Sequence, residues 1–154
     1  MLISINERPG GSDNADPSIR SAVIRFDHGP EYPFTLRNPF SEQEEQDLEW
    51  YFEDHLRQPF LKQVKARDVA ASIKTCGERL FAQVFADPKV YVAYNQAKQT
   101  GIDSLRFEIT GSPEFHSWHW EALKDPELPR AFALEAPMVR KNLQPVALVA
   151  NPKP

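Results

Sequence analysis

Leu105, Phe107 and Ile109 alternate with Arg106, Glu108 and Thr110, and this two-residue rhythm is the firmest structural constraint in the chain. Side chains at every second position share one face of a strand, so the run predicts a strand with one buried face and one wet face. Such a strand needs partners beside it and apolar elements over its buried face. The rest of the sequence offers both.

Residues 21–27 read as a strand through the β-branched Val23 and Ile24 and the following Phe26. His28, Gly29 and Pro30 supply a turn, and residues 32–37 return as an extended run with Phe34 and Leu36 on one face, so the two form a hairpin. Ile3 and Ile5 alternate with Ser4 and Asn6, a pattern that suits at most a short edge strand. Residues 8–18 are polar and turn-forming, and residues 1–20 are expected to be a flexible arm.

Three helices follow. Ser41 with Glu44 forms a capping box, and Glu42, Glu44 and Glu45 sit at the positive end of the helix dipole. Leu48, Tyr51, Phe52 and Leu56 give that helix its apolar stripe, and Pro59 ends it. Asp68 is placed to cap a second helix, whose Val69, Ile73, Cys76, Leu80, Phe81, Val84 and Phe85 recur at threes and fours. A third follows Asp87 and Pro88, with Val90, Tyr91, Tyr94 and Ala97 inward and Gly101 as its stop. After the alternating strand come short extended runs at 132–134 and 138–140. Residues 146–150, Val-Ala-Leu-Val-Ala, form a uniformly apolar run of the kind covered on both faces. The order predicts an α+β fold: an antiparallel or mixed sheet with two to three packed helices.

The chain has 154 residues, enough for one domain with a real core, and its net charge of −4 comes with Lys and Arg scattered among acids rather than gathered in a stripe. Nucleic acid is therefore not an expected partner. No apolar run approaches the ~20 residues that span a bilayer, and no secretory signal precedes residue 14, so a cytoplasmic protein is expected. A single cysteine, Cys76, suits a reducing compartment and falls on a buried helical stripe, where it reads as a small core hydrophobe.

Candidate chemistry gathers in one segment, where Trp118, Trp120, His116, His119 and Glu121 lie within a few residues. His116 and His119 are spaced for one side of a helical turn and are the only candidate metal ligands, although Glu121 would point away from them and the metallopeptidase spacing is absent. No Gly-x-Ser-x-Gly elbow and no phosphate-binding glycine loop occurs. The paired acids Glu44 and Glu45, and Glu53 and Asp54, read as a solvated helix face. No cofactor is expected, and no residue of this chain is assigned a catalytic role. Around Trp50 the helix carries more rings than one side can bury, so Trp50, with Trp118, is a candidate interaction surface.

The order of motifs resembles the opening section of CHAT domains, the caspase-like cysteine peptidases common in bacteria. Gly77-Glu78-x-Leu80-Phe81 looks like that family's Gly-Glu-x-Leu-Phe helix, and Trp120-Glu121-x-Leu123 with the nearby Asp125-Pro126 looks like its Pro-Trp-Glu-Leu-Leu box. Val139-Arg140 matches a valine-arginine strand. His119 replaces the usual proline and Ala122 a leucine. The resemblance covers residues 21–150, with 151–154 a tail. It implies that residues 146–150 are the first strand of a caspase-like α/β core. The family's catalytic histidine and cysteine lie beyond that strand, so this chain is expected to be a truncated, non-catalytic N-terminal region. It would support a C-terminal peptidase core or relay a partner signal. The roles implied for Gly77, Glu78, Leu80, Phe81, Trp120, Glu121, Leu123 and Arg140 are structural: Trp120 fills the space between helices and sheet, and Glu121 bonds backbone amides or pairs with Arg140. The alternative is a free-standing α+β protein-interaction module.

Overall fold

The computed structural model describes residues 1–8, 19–51, 53 and 63–142. Its strands are β1 (Leu2–Glu7), β2 (Ile19–Phe26), β3 (Glu31–Arg37), β4 (Arg106–Gly111) and β5 (Met138–Asn142). Its helices are α1 (Glu42–Trp50), α2 (Gln63–Val84), α3 (Pro88–Lys98) and the short α4 (Pro113–Ser117). The fold is α+β, with one mixed sheet in the order β3-β2-β1-β4-β5. Among the described residues no helix is long and apolar enough to cross a membrane.

The expected hairpin is β2 and β3, antiparallel from Ile19 opposite Arg37 to Arg25 opposite Glu31. Asp27 turns the chain at φ 51°, a left-handed conformation that Asp tolerates, and its carboxylate accepts a hydrogen bond from the Leu2 amide at 2.8 Å. This bond fastens the turn to the first strand. That strand departs from expectation. β1 is neither arm nor edge; it is the middle of the sheet, antiparallel to β2 and parallel to β4. Ile3 and Ile5 are fully buried because they lie in cross-strand rows, Phe26–Ile3–Phe107 and Ile24–Ile5–Ile109. The remaining part of the expected arm, residues 9–18, lies outside the described residues.

β4 has its predicted alternation: Leu105, Phe107 and Ile109 are buried, while Arg106 is exposed and Glu108 and Thr110 half-exposed. β5 adds in parallel with Met138 beside Phe107 and Arg140 beside Ile109. Arg140 therefore stands in a row with core residues, at the sheet's edge. On the opposite face Lys141 pairs with Glu108 at 3.1 Å.

α1 carries the capping box in full, with Ser41 Oγ accepting from the Glu44 amide at 3.1 Å and Glu44 accepting from the Ser41 amide at 3.3 Å. Of its predicted stripe Leu48 is buried; Phe52, Leu56 and Pro59 lie outside the described residues. α2 reaches back to Gln63, so Asp68 is inside the helix rather than its cap. Gln, Lys, Ala and Arg in positions 63–67 favour helix strongly enough to extend it past a residue suited to capping. Asp87 caps α3 as expected, accepting from the Lys89 amide at 2.8 Å, and Gly101 takes a φ of 101° beyond its end. Val90, Tyr94 and Ala97 face inward; Tyr91 is exposed instead.

Residues 132–134 are not a strand but a 3-10 turn. The Phe132 amide donates to the Leu123 carbonyl at 3.0 Å, not to a ladder, and the ring is fully buried, stacked on Phe107 at 4.9 Å. Three apolar residues between prolines are too few to settle strand against turn, and burial of the ring decides it. Residues 146–150, read as a covered strand opening a further core, lie outside the described residues.

Helix α2 lies so close to the turn at Trp120–Ala122 that a Cβ on Gly77 would stand 1.9 Å from the Ala122 carbonyl oxygen. The Gly77 carbonyl meanwhile accepts from the Lys124 amide at 3.2 Å. At an ordinary helical site Gly→Ala stabilises by roughly 0.5–1 kcal/mol. Here Gly77→Ala is expected to destabilise, by about 2–3 kcal/mol, as backbone is pushed from backbone. Urea unfolding of the two chains checks the sign, and a variant more stable than the parent would show that the helix can shift freely.

Candidate functional site

The segment singled out in the sequence starts where β4 ends. Ser112 caps α4, its Oγ accepting from the Phe115 amide at 3.3 Å, and its own amide donates to Glu7 Oε1 at 2.8 Å. The ends of β1 and β4 are thus joined to the start of the helix. α4 stops at Ser117, and Trp118 is already extended. The helical spacing assumed for the Trp and His residues consequently does not exist beyond one turn.

That early stop places the tryptophans. Trp120 is fully buried, and its indole N–H donates to the Phe115 carbonyl at 2.8 Å. Its ring lies 4.9 Å from that of Phe115 and 6.4 Å from that of Trp118, stacked at 20°. Trp118 is buried as well, at 7 % exposure, so it is a core residue and not the interaction surface expected of it. Trp50 is half-buried, with the Lys65 ammonium 4.2 Å above its ring.

The histidines do not form a pair. His116 stays on α4, where its Nε2 lies 2.5 Å from the Lys141 carbonyl oxygen of β5 and its Nδ1 is buried without a hydrogen-bond partner. His119 lies past the helix, with Nδ1 3.6 Å from Glu121, Nε2 3.9 Å from Glu45 and its ring edge-on to Phe40 at 4.9 Å. Among the described residues no three His, Cys, Asp or Glu side chains are grouped to hold a metal ion. Glu121 pairs with Arg140, whose guanidinium also donates to the His116 carbonyl at 3.0 Å. Burial pushes the Glu121 carboxyl up, but His119, a backbone amide and Arg140 outweigh it and hold it below the ordinary carboxylate value.

Cys76 is fully buried on α2. Its Sγ lies 2.8 Å from Glu44 Oε2, an oxygen that also accepts from Ser72 at 2.9 Å. Burial, with the neighbouring carboxylate, pushes the thiol up to about 12. The group is a hydrogen-bond donor between α1 and α2, not a nucleophile. Glu44, read as part of a solvated face, turns out to serve its own helix end with one oxygen and α2 with the other. The thiol's hydrogen bond and those of Ser72 and Ser41 hold the Glu44 carboxyl below its ordinary value against the opposing effect of burial.

A second polar cluster was not visible in the sequence. Asp125, 2 % exposed, accepts from the Tyr94 hydroxyl at 2.6 Å, the Lys98 ammonium at 2.9 Å and the Glu127 amide at 2.9 Å. Burial opposes the charge, but these donors outweigh it and hold the carboxyl below its usual value, while burial and Asp125 push the Tyr94 hydroxyl well up. Lys124, 4 % exposed, meets Glu78 at 3.2 Å. Asp-Pro after a Trp-Glu box was the available signal, since a buried Asp beside a turn needs donors; its side-chain donors come from α3, far away in the chain.

Between these clusters runs a groove of about 510 Å³. Leu48 of α1, Ile73 and Lys74 of α2, His119 and Glu121, and Pro129, Arg130, Ala131, Ala133 and Leu134 line it. A second hollow of about 410 Å³ adjoins it through Leu48 and His119 and is lined by Glu45, Glu49 and Glu53. The groove's lining is mostly apolar; of its charged residues Lys74, Glu121 and Arg130 are exposed and Lys124 is buried.

Two outcomes follow from this geometry. A thiol reagent such as dithionitrobenzoate should leave Cys76 untouched in the folded chain and modify it fully once denaturant unfolds α2; stoichiometric reaction under native conditions would place the sulfur elsewhere. Asp125→Ala should cost about 2–4 kcal/mol in urea unfolding, because a buried hydroxyl and an ammonium lose their acceptor. Since the folded carboxyl lies below its unfolded value, its contribution is complete above the unfolded value and disappears as pH falls through the folded one. The variant's stability should therefore fall less steeply below about pH 4 than the parent's. Compared with protein-family models, with curated proteins and with solved structures, the chain finds no match.

Proposed function

We propose that this chain is a non-catalytic α+β module of the kind that opens CHAT proteins, and that it supports a caspase-like peptidase core or relays a partner signal to it. One observation carries the reading. The two segments on which the resemblance rests touch at a separation that only glycine permits, Gly77 against Ala122, with Glu78 bound to Lys124 beside it. Leu80 and Phe81, next along the same helix, enter the core with Trp120 and Leu123. Motifs that resemble a family's in order and also fit each other in space are better support than either alone.

The valine-arginine strand fits the same role. Arg140 ties β5 to Glu121 and to the His116 carbonyl, so the edge of the sheet is fastened to the Trp-Glu turn before any further strand could add to it. The side chains with reactive potential in this chain support a scaffold rather than a catalyst. Cys76 is enclosed with its proton held, and among the described residues neither His116 nor His119 is oriented by a partner toward a nucleophile. A cytoplasmic, bacterial setting belongs to this proposal, since a lone thiol needs no oxidising compartment.

Incubation with a panel of fluorogenic peptides tests the catalytic half of the proposal. No thiol-dependent cleavage is expected, and Cys76→Ala should behave as the parent; turnover abolished by that substitution would refute it. Peptide mapping of the native gene product tests the other half. Sequence continuing past Pro154 into strands bearing a histidine and a cysteine is the expected result, and a product stopping there would favour a free-standing interaction module.

A further inference from the structure

We infer that the groove between α1, α2 and the 129–134 segment is a docking site for a short acidic peptide segment of a partner protein, anchored by apolar side chains. The inference does not rest on the CHAT reading, since every residue it uses is described and belongs to this chain.

The first support is the groove's surface. Its floor is built from Leu48, Ile73 and Ala122, and its outer wall ends in Leu134, which is 71 % exposed. Leu134 lies two residues after the buried Phe132 plug, whose turn is closed by the Ala136 amide donating to the Phe132 carbonyl at 2.8 Å. A rigid turn thus holds a large aliphatic side chain in water at the lip of an apolar hollow, the arrangement that receives an anchor side chain from outside.

The second is charge. Lys74 and Arg130 stand at the rim, both exposed, and among the described residues neither has a carboxylate partner. The groove's other charged side chains are already matched: Lys124 to Glu78, and Glu121 to Arg140. In a chain of net charge −4, two unmatched cations beside an apolar floor complement an occupant carrying carboxylates next to apolar anchors. The adjoining hollow lined by Glu45, Glu49 and Glu53 repels acid, so the occupant's carboxylates are confined to the Lys74 and Arg130 end.

The third is openness. A small-molecule site encloses most of its ligand. Here the wall and both cations are exposed, so the groove holds one side of an occupant that continues beyond it. A peptide segment has that shape, and an amphipathic helix or extended strand presents anchors at the required spacing.

Selection of a phage-displayed random peptide library on the immobilised full chain tests the inference, with Leu134→Glu and Arg130→Glu chains as counter-selections and oleate as a competing small amphiphile. Both substitutions sit at exposed positions, and circular dichroism is used to check that each variant is folded before it is scored. The expected result is enrichment of peptides combining Leu, Phe or Trp with Asp or Glu, bound at least about tenfold more weakly by either variant. Failure to enrich, enrichment of basic peptides, or binding indifferent to both substitutions would overturn it. So would one-to-one oleate binding that excludes peptides, which would make the groove a lipid pocket. A parent chain that sediments as a dimer which Leu134→Glu dissociates would assign the groove to a second copy and overturn it too. None of these failures touches the peptide map of the gene product, so the two proposals stand or fall separately.

Discussion

Backbone meets backbone where Gly77 of α2 lies over the Ala122 carbonyl, and the remainder of the helix side of the molecule takes its spacing from that approach. With the helix seated there, Leu80, Phe81 and Val84 drop onto the row of Ile and Phe side chains on the sheet, and Lys124 comes within reach of Glu78. A side chain at position 77 would lift the helix, and the aromatic cluster beneath would lose contacts that depend on separations of a few tenths of an ångström. Glycine costs helix propensity at this point, and the closeness of the contact is what that cost obtains.

The aromatic cluster is what the close approach protects. Phe81, Phe85, Tyr94 and Phe132 meet at centroid distances of 4.6 to 6.2 Å, and Phe107 joins them from the sheet. Tyr94 is the member with a polar end. Its hydroxyl reaches Asp125, and Asp125 in turn collects Lys98 and the Glu127 amide. The core is therefore apolar up to one face and closes there on a satisfied charge. A buried carboxylate is tolerable only when its donors are fixed in place, and here α3 fixes two of them.

Much of this was legible in the residues, because local rules govern it. The alternation of β4, the β2–β3 hairpin and the capping box at Ser41 need only neighbours in the chain, and each was formed as read. Non-local pairing was hidden. Ile3 and Ile5 looked like a marginal edge because nothing near them announces β4 as a parallel partner, and only the assembled sheet puts β1 in its centre. The Trp-His segment misled for another reason: a helical turn was assumed, whereas α4 ends at Ser117, so Trp118 folds inward and His116 and His119 separate. The groove was not legible at all, since its walls come from three stretches whose individual patterns are ordinary.

What links these observations is the fate of the side chains capable of chemistry. Cys76 donates a hydrogen bond to Glu44, Glu121 is held by Arg140, Asp125 is enclosed by its donors, and His116 meets a main-chain carbonyl. Each of these contacts joins two separate stretches of the chain, α2 to α1, the Trp-Glu turn to β5, the Asp125 turn to α3 and α4 to β5, and so contributes to the architecture. The features left facing outward are of another kind: an exposed leucine on a rigid turn, a shallow apolar floor, and two cations without carboxylates. Those features discriminate by shape and charge. Under the proposals made above, those outward features are what a partner would meet, while the contacts of Cys76, Glu121, Asp125 and His116 hold the elements that present them.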